Sequence, residues 1–298
     1  ITLDKWGSNP LHELTAVFDL YRLYRKLAPD LVHHSTAKPV IYGGVAARLA
    51  GVPAVVNIIS GMGYVFTARG LGAWLRRSVL KFLYRYGFGH PNSRLIVQNN
   101  DDLQDFVERG LIVHHKLRLV SGSGVDLAHF KSSPPPDNHT PLIVMPSRVV
   151  WHKGAGEFVS AAQELTRRGV CARFIIAGGF VPGNPAGVSL SQIESWKENT
   201  PVEFLEHHPD MPQLFRSCDI VCLPSHREGL PRALIEAAEC ARPIVTTDCT
   251  GCRELVTTAK NGFVVPVGDS QALADALQNL IQDRALRIEM GKGKSQDD

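Results

Sequence analysis

Short apolar runs alternate with amphipathic stretches along this chain, and that alternation constrains its fold more than any other feature. Strand candidates lie near residues 30–33, 53–59, 94–98, 117–120, 141–145, 172–177, 202–205, 219–223, 243–246 and 263–266. Helical periodicity fills most gaps, at 9–27, 39–50, 71–87, 100–109, 154–168, 189–199, 231–241 and 270–282. Runs such as Ile220-Val221-Cys222-Leu223 have no polar side, which suits a strand covered by helices on both faces. Strands alternating with helices imply parallel β-α-β units. At 298 residues, 44% hydrophobic and 20% charged, the chain can bury two separate cores. The stretch from Lys131 to Thr140, with Pro134-Pro135-Pro136 at its centre, reads as an extended linker. The expected fold class is therefore α/β: two Rossmann-like doubly wound domains facing across a cleft, residues 1–130 and 141–298, joined by 131–140. The chain opens at Ile1 partway into a pattern and ends in a polar tail soon after the 270–282 helix. It reads as a fragment, with the first domain N-terminally truncated and a closing C-terminal helix missing.

Residues 228–236 read Glu-Gly-Leu-Pro-Arg-Ala-Leu-Ile-Glu, two carboxylates at the mouth of a helix that follows a buried strand. Pro231 sits at the first helical position, and Ala233 to Ala238 are good helix formers. Strand, Gly-bearing loop and helix start in that order make an anion site, because backbone N–H groups and the helix dipole point into the loop. Acids beside such a site make sense as acceptors for sugar hydroxyls, since a carboxylate takes bidentate hydrogen bonds from a diol. A second cluster supports this. The strand Leu142–Met145 leads into Ser147-Arg148 and then Trp151-His152-Lys153-Gly154, which puts two cations at the edge where open α/β sheets bind ligands. Together these point to a nucleotide-sugar, its phosphates on cations and amides and its sugars on acids.

All six cysteines lie in the second half, and Cys249 and Cys252 have the spacing of a metal or redox pair. Without a second pair or a suitably spaced histidine, they read as reduced structural thiols. No stretch approaches the roughly 18–20 apolar residues that span a bilayer. Residues 31–100 contain no acid, and residues 1–130 carry 15 Lys and Arg against 9 Asp and Glu. Within that stretch Arg76, Arg77, Lys81 and Arg85 accompany Trp74, Leu75, Leu80, Phe82 and Leu83, with Arg77, Lys81 and Arg85 on one helical face. One reading is an ordinary amphipathic helix with a basic solvated face. The other is a contact with an anionic membrane surface. Nucleic acid is not expected as a partner, because no groove-reading motif accompanies the charge.

The second half resembles the nucleotide-sugar domain of retaining glycosyltransferases of family 4. The resemblance rests on Ser147-Arg148 through Gly154, Leu223-Pro224-Ser225-His226-Arg227-Glu228-Gly229-Leu230-Pro231, and Glu236. It continues through Ala241-Arg242-Pro243-Ile244-Val245, Gly251-Cys252-Arg253-Glu254 and Asn261-Gly262-Phe263. The first half is similar at Asp30-Leu31-Val32-His33-His34, Gly51-Val52-Pro53, Ser60-Gly61-Met62-Gly63-Tyr64 and Ser123-Gly124-Val125-Asp126. The resemblance implies the two-domain GT-B fold. It also implies transfer of a hexose or N-acetylhexosamine from a UDP-sugar, with retention, to a lipid-linked or glycan acceptor in bacterial surface-polysaccharide or glycan assembly. Arg148 and Lys153 would neutralise the diphosphate, and amides around Gly229, Leu230 and Pro231 would cap its β-phosphate. Glu228 would hold the transferred sugar and Glu236 the ribose, with Leu205 near the uracil. Glu228, Arg148 and Lys153 are the catalytic candidates. His33, Ser60 and Gly61 are the acceptor-side candidates, and Ser60 stands where many members carry a histidine that touches the donor sugar. The implied location is cytoplasmic, peripheral on the inner face of the plasma membrane.

No cofactor beyond the donor is expected. The chain contains no Asp-x-Asp triplet, so the usual divalent-metal signature of such enzymes is absent. The leaving diphosphate would then be balanced by Arg148, Lys153 and helix amides. A dehydrogenase would need Gly-x-Gly-x-x-Gly between a strand and a helix, which neither Gly122/Gly124 nor Gly154/Gly156 supplies. A UDP-sugar epimerase of the same two-domain form and a non-catalytic nucleotide-sugar-binding remnant remain as alternatives.

Overall fold

A computed structural model describes residues 10–60, 81–180, 183–184, 186–206 and 208–293, excluding the side chains of 10–12. The chain divides into two compact units, Ile1–Gly122 and Ser123–Asp298. This break falls ahead of the Pro-rich run in which the sequence reading places it. Phe130 is the reason: it is buried in the second unit against Phe215, Leu142 and Val144. The run itself is strapped to the same unit, because the Arg242 guanidinium donates to the carbonyls of Ser133 and Pro134.

In the first unit, α1 (Pro10–Leu27), β1 (Leu31–Ser35), α2 (Ala37–Ala50), β2 (Ala54–Ile59), β3 (Ser93–Val97), α3 (Asn100–Glu108) and β4 (Leu117–Leu119) follow in order. The four strands form one parallel sheet ordered β1-β2-β3-β4. Of the helix expected over 71–87, positions 71–80 lie outside the described residues, and positions 81–88 are helical. Asn99 starts α3 by accepting the Asp102 N–H at 2.7 Å, and Gly51 ends α2 in the left-handed conformation.

The second unit contains β5 (Leu142–Met145), α4 (Ala155–Arg167), β6 (Arg173–Ala177), α5 (Leu190–Asn199), β7 (Val202–Leu205) and α6 (Met211–Ser217). After these come β8 (Ile220–Leu223), α7 (Arg232–Glu239), β9 (Ile244–Thr247), β10 (Gly262–Val265), α8 (Ser270–Gln282) and α9 (Arg284–Lys292). The six parallel strands are ordered β10-β9-β8-β5-β6-β7. Strand β5 shows why its sequence has no polar side. Ile143 and Met145 enter the core with Phe158, Ile176 and Leu277, while Leu142 and Val144 enter the opposite core with Val221, Leu223 and Leu234. Each such side chain, fully buried, contributes about 1.5–3 kcal/mol. The chain winds outward from β5 through β6 and β7, then returns to β8 and winds the other way. The strand order reverses between β5 and β8, and ligands of open α/β sheets bind beyond the carboxyl ends of the strands at such a point.

All ten expected strands are present. Two helices are additional. The first, α6, is capped by Asp210, which accepts the Gln213 N–H at 2.8 Å. The second, α9, lies where a polar tail was expected. Asp283 caps it, and Arg287 turns back to donate to the Leu280 and Ile281 carbonyls at 2.6 and 2.8 Å, satisfying the end of α8.

Candidate functional site

Two loops flank the reversal point. Residues 146–154 leave β5, and residues 224–231 leave β8 for α7. The first loop closes in a single 3-10 turn, Trp151–Lys153, and reaches α4 through Gly154 at φ 80°. Only glycine fits there: the conformation is left-handed, and a Cβ would collide with the Pro224 carbonyl of the second loop. The loops are also joined by the His226 N–H, which donates to the His152 carbonyl at 2.9 Å. A third loop, after β9, closes on the second, with the Glu228 N–H donating to the Thr250 carbonyl at 3.0 Å.

This backbone brings Lys153 and Glu228 together from 75 residues apart in sequence. Lys153 Nζ donates to Glu228 Oε1, and Ser225 Oγ donates to the same oxygen at 2.6 Å. Ser225 is fully buried, and its carbonyl accepts the Thr247 hydroxyl. Glu228 is thus fixed by a cation and a hydroxyl at once. Beside it, His226 Nε2 lies 2.8 Å from Glu157 Oε1, in the first turn of α4. That hydrogen bond raises the His226 pKa and lowers that of Glu157. His152 is shifted the other way, by burial and then by the Lys153 charge.

The other expected residues are placed more loosely. Arg148 is exposed on the same loop as Lys153 and bears electrostatically on His152. Glu236 lies on α7, 9% exposed, and pairs with Arg232 at 2.8 Å, one turn back on its own helix. Burial raises its pKa, opposed by Arg232. Leu205 ends β7 half-buried, and its carbonyl accepts the Gly178 N–H at 2.9 Å. Pro231 is the residue before α7 rather than its first, and it has no N–H. Amide donors at this helix start therefore belong to Gly229, Leu230 and Arg232, and Pro231 contributes only its fixed φ of −72°.

In the first unit, His33 lies on the exposed side of mid-β1, and Ser60 is exposed just beyond β2. The neighbouring His34 is buried. Its Nδ1 faces Asn57 Oδ1 and its Nε2 faces the Tyr24 hydroxyl, both at 2.9 Å, and burial lowers its pKa. Gly61, Arg76 and Arg77 lie outside the described residues. Lys81 is exposed, and Arg85 Nε donates to the Gly110 carbonyl at 2.7 Å. Among the described residues, no helix is long and apolar enough to cross a membrane.

Ser225, His226 and Glu157 were not expected as site residues. Ser225 and His226 stand inside the motif that names Glu228. Glu157 lacked any local signal, because its partner lies 69 residues away.

A family model described as glycosyl transferases group 1 matches residues 128–297, and one described as glycosyl transferase 4-like matches residues 1–100. The chain is similar to the N,N'-diacetylbacillosaminyl-diphospho-undecaprenol alpha-1,3-N-acetylgalactosaminyltransferase of Campylobacter jejuni. Identity is 28% over 301 residues, covering 97% of this chain and 77% of that protein. It is 25% identical over 296 residues to the UDP-Gal:alpha-D-GlcNAc-diphosphoundecaprenol alpha-1,3-galactosyltransferase of Escherichia coli, covering 93% of this chain and 73% of that one. Among solved structures, Anabaena HepE in complex with UDP and glucose superposes with a TM-score of 0.77. That match has 23% identity and covers 98% of this chain and 78% of that one. At this identity the likeness establishes the fold.

Proposed function

The chain belongs to the group 1 glycosyl transferases, and on that premise we propose that it moves a hexose or N-acetylhexosamine from a UDP-sugar to a lipid-linked or glycan acceptor, with retention and without a divalent metal. The observation that carries this reading is the contact of Lys153 and Ser225 with Glu228 at the strand-order reversal. A nucleotide-sugar carries a diphosphate and a hexose joined through one oxygen. A cation touching a hydroxyl-accepting carboxylate matches that junction. Lys153 and Arg148 balance the charge that grows on the diphosphate as the glycosidic bond breaks, with the amides of Gly229, Leu230 and Arg232 adding preorganised dipoles. Glu228 accepts from hydroxyls of the transferred sugar, and Glu236 from the ribose. Retention follows if the acceptor hydroxyl attacks from the face the phosphate leaves, with the departing phosphate oxygen taking the proton. The acceptor is assigned to the first unit, where His33, Ser60 and Gly61 are the candidates.

The relatives named above act on undecaprenyl-diphosphate sugars, by their names, which supports an acceptor of that class and a role in bacterial surface glycans. An anionic membrane surface is the proposed site of work, with Lys81 and the 68%-exposed Phe82 among its contacts. The deciding experiment is a screen of UDP-hexoses and UDP-N-acetylhexosamines against polyprenyl-diphosphate sugars, read by mass spectrometry of the lipid. One added hexose or N-acetylhexosamine, formed in the presence of EDTA and in the α configuration by NMR, is expected. Donor consumption without any glycosylated lipid would overturn the reading.

A further inference from the structure

The turn after β9, Cys249-Thr250-Gly251-Cys252, carries a pair of free cysteines that the proposed transfer does not use. The Cys252 N–H donates to the Cys249 carbonyl at 3.2 Å. The two residues are thus first and fourth in a hydrogen-bonded turn, which holds such Cα atoms within about 7 Å. A disulfide spans about 4.4–6.8 Å between Cα atoms, so little backbone movement separates the dithiol from a bridge. The Cys249 thiol accepts from the Thr247 hydroxyl and donates to the Thr250 carbonyl, both at 3.6 Å. Cys249 is 3% exposed and lies within the field of Glu228, while Cys252 is fully buried behind it. The neighbouring Cys252 thiol, and then Thr247, bring the Cys249 thiol down to about 7 against the opposing pull of burial, whereas Cys252 is raised by its neighbour and by burial. A thiol so lowered is about half thiolate at neutral pH, the form that reacts. By contrast, burial pushes Cys218 up to about 12.

The turn is tied to the donor loop. The Thr250 carbonyl holds the Glu228 N–H at 3.0 Å, and Gly251, at φ 81°, packs so closely on Gly229 that a Cβ would collide with its carbonyl. We propose that Cys249 and Cys252 form a reversible redox modification site that takes a hydroperoxide as oxidant, and that its disulfide form weakens the hold of the Glu228–Leu230 loop on the nucleotide. The Cys249 thiolate attacks hydrogen peroxide and the O–O bond breaks. This leaves a sulfenic acid and a hydroxide, which takes a proton and departs as water. Cys252 sulfur then attacks the sulfenic sulfur. The S–S bond forms, the S–O bond breaks, and the hydroxyl leaves with the Cys252 proton as a second water. Two thiols lose two electrons to one peroxide, and a dithiol reverses the step.

The covalent half stands on the turn alone, and the coupling half rests on the donor-site reading. The test uses the chain with Cys171→Ser, which removes the exposed thiol. It is treated with hydrogen peroxide and followed by tandem mass spectrometry and by calorimetric titration with UDP. The expected result is loss of two hydrogens assigned to Cys249 and Cys252, restored by dithiothreitol, with UDP affinity lower by about tenfold in the oxidised form. Adding Cys252→Ser should stall the reaction at a sulfenic acid that dimedone traps on Cys249. Unmodified Cys249, or its overoxidation to sulfinic acid without pairing, overturns the site. A disulfide that leaves UDP affinity unchanged overturns the coupling. If UDP binds neither form, the donor-site reading fails and the coupling falls with it, while the mass shift still decides the modification.

Discussion

The two ends of the second sheet both gather acids and cations, yet they are built for opposite purposes. At the amino-terminal rim, Arg242 is 2% exposed and its Nε donates to the Phe215 carbonyl at 2.8 Å, while its Nη2 serves Ser133 and Pro134. Asp219 there accepts from the Leu142 N–H at 2.9 Å and from Asn138 at 2.7 Å, with Arg287 Nε 3.7 Å away. A cavity of about 310 Å³ opens at this rim beside Arg284 and Arg287. At the carboxyl-terminal rim, Lys153 and Glu228 hold each other, and Arg148 stands exposed. In the first set Arg242 directs its guanidinium mainly to backbone carbonyls and fastens a strap to the sheet, and Asp219 is held by a backbone amide together with Asn138 and Arg287. The second is arranged side chain to side chain, so a ligand can replace one partner of each contact. Charge and a cavity alone therefore do not single out the end proposed to bind the donor.

The sharpest break of that contrast comes from Arg242→Ala. Removing a buried cation that serves three carbonyls should cost about 3–5 kcal/mol of stability. Transfer rate per folded molecule should stay near wild type. Denaturant unfolding showing a loss below about 1 kcal/mol, or a comparable fall in turnover, would dissolve the distinction between the rims. Next in size come Arg148→Ala and Lys153→Ala, each expected to lower transfer about 10²–10³-fold with little change in melting temperature. Rates near wild type in a radiolabelled UDP-sugar assay would remove these cations from the mechanism. Lys153→Ala with Glu228→Gln should be strongly non-additive, because the two side chains are in direct contact.

The sequence revealed the strands and concealed the pairings. Strand β5 was legible because all four of its side chains face a core. Helix α9 was not, because what stabilises it is Arg287 reaching the carbonyls of α8, and an arginine in a polar tail looks like solvent-facing charge. Asp210 and Asp283 were readable caps, but each opens a segment with too few apolar residues to show a period. At the site, Glu228 and Lys153 were identified as types and not as partners. Ser225 carried no role of its own within the motif, since a buried hydroxyl acquires meaning from the carboxylate beside it. The Pro-rich run advertises extended backbone, but proline composition does not report what the chain leans on, here Phe130 in the second unit's core.

A smaller effect is expected from Glu236→Ala. Its carboxylate is buried on α7, and Arg232 is its hydrogen-bond partner. Losing one ribose contact should weaken UDP by about tenfold and leave turnover at saturating donor within about twofold. An unchanged dissociation constant by calorimetry would detach Glu236 from the nucleotide.

The smallest effect tests whether the His226–Glu157 contact belongs to the rim's electrostatics or only to its packing. Glu157 raises the His226 pKa above its ordinary 6.5, so the protonated pair stabilises the fold. That contribution is fully present below about pH 6.5, the unfolded value, and is lost as pH rises through the folded one. On the acid side, the Glu157 pKa lies below its ordinary 4.5, so its share is present above that value and disappears as pH falls through the folded one. The side chains are 41% and 20% exposed, and solvent screening holds the pair to about 0.2–1 kcal/mol. Thermal unfolding of wild type and His226→Gln across pH 4 to 9 should therefore diverge most between about pH 4.5 and 6.5 and converge in alkali. Salt should shrink the gap further, since the contact is open to solvent. A gap that stays constant from acid to alkali would assign the contact to shape rather than charge. The ionic part of the rim would then reduce to Lys153, Glu228 and Arg148.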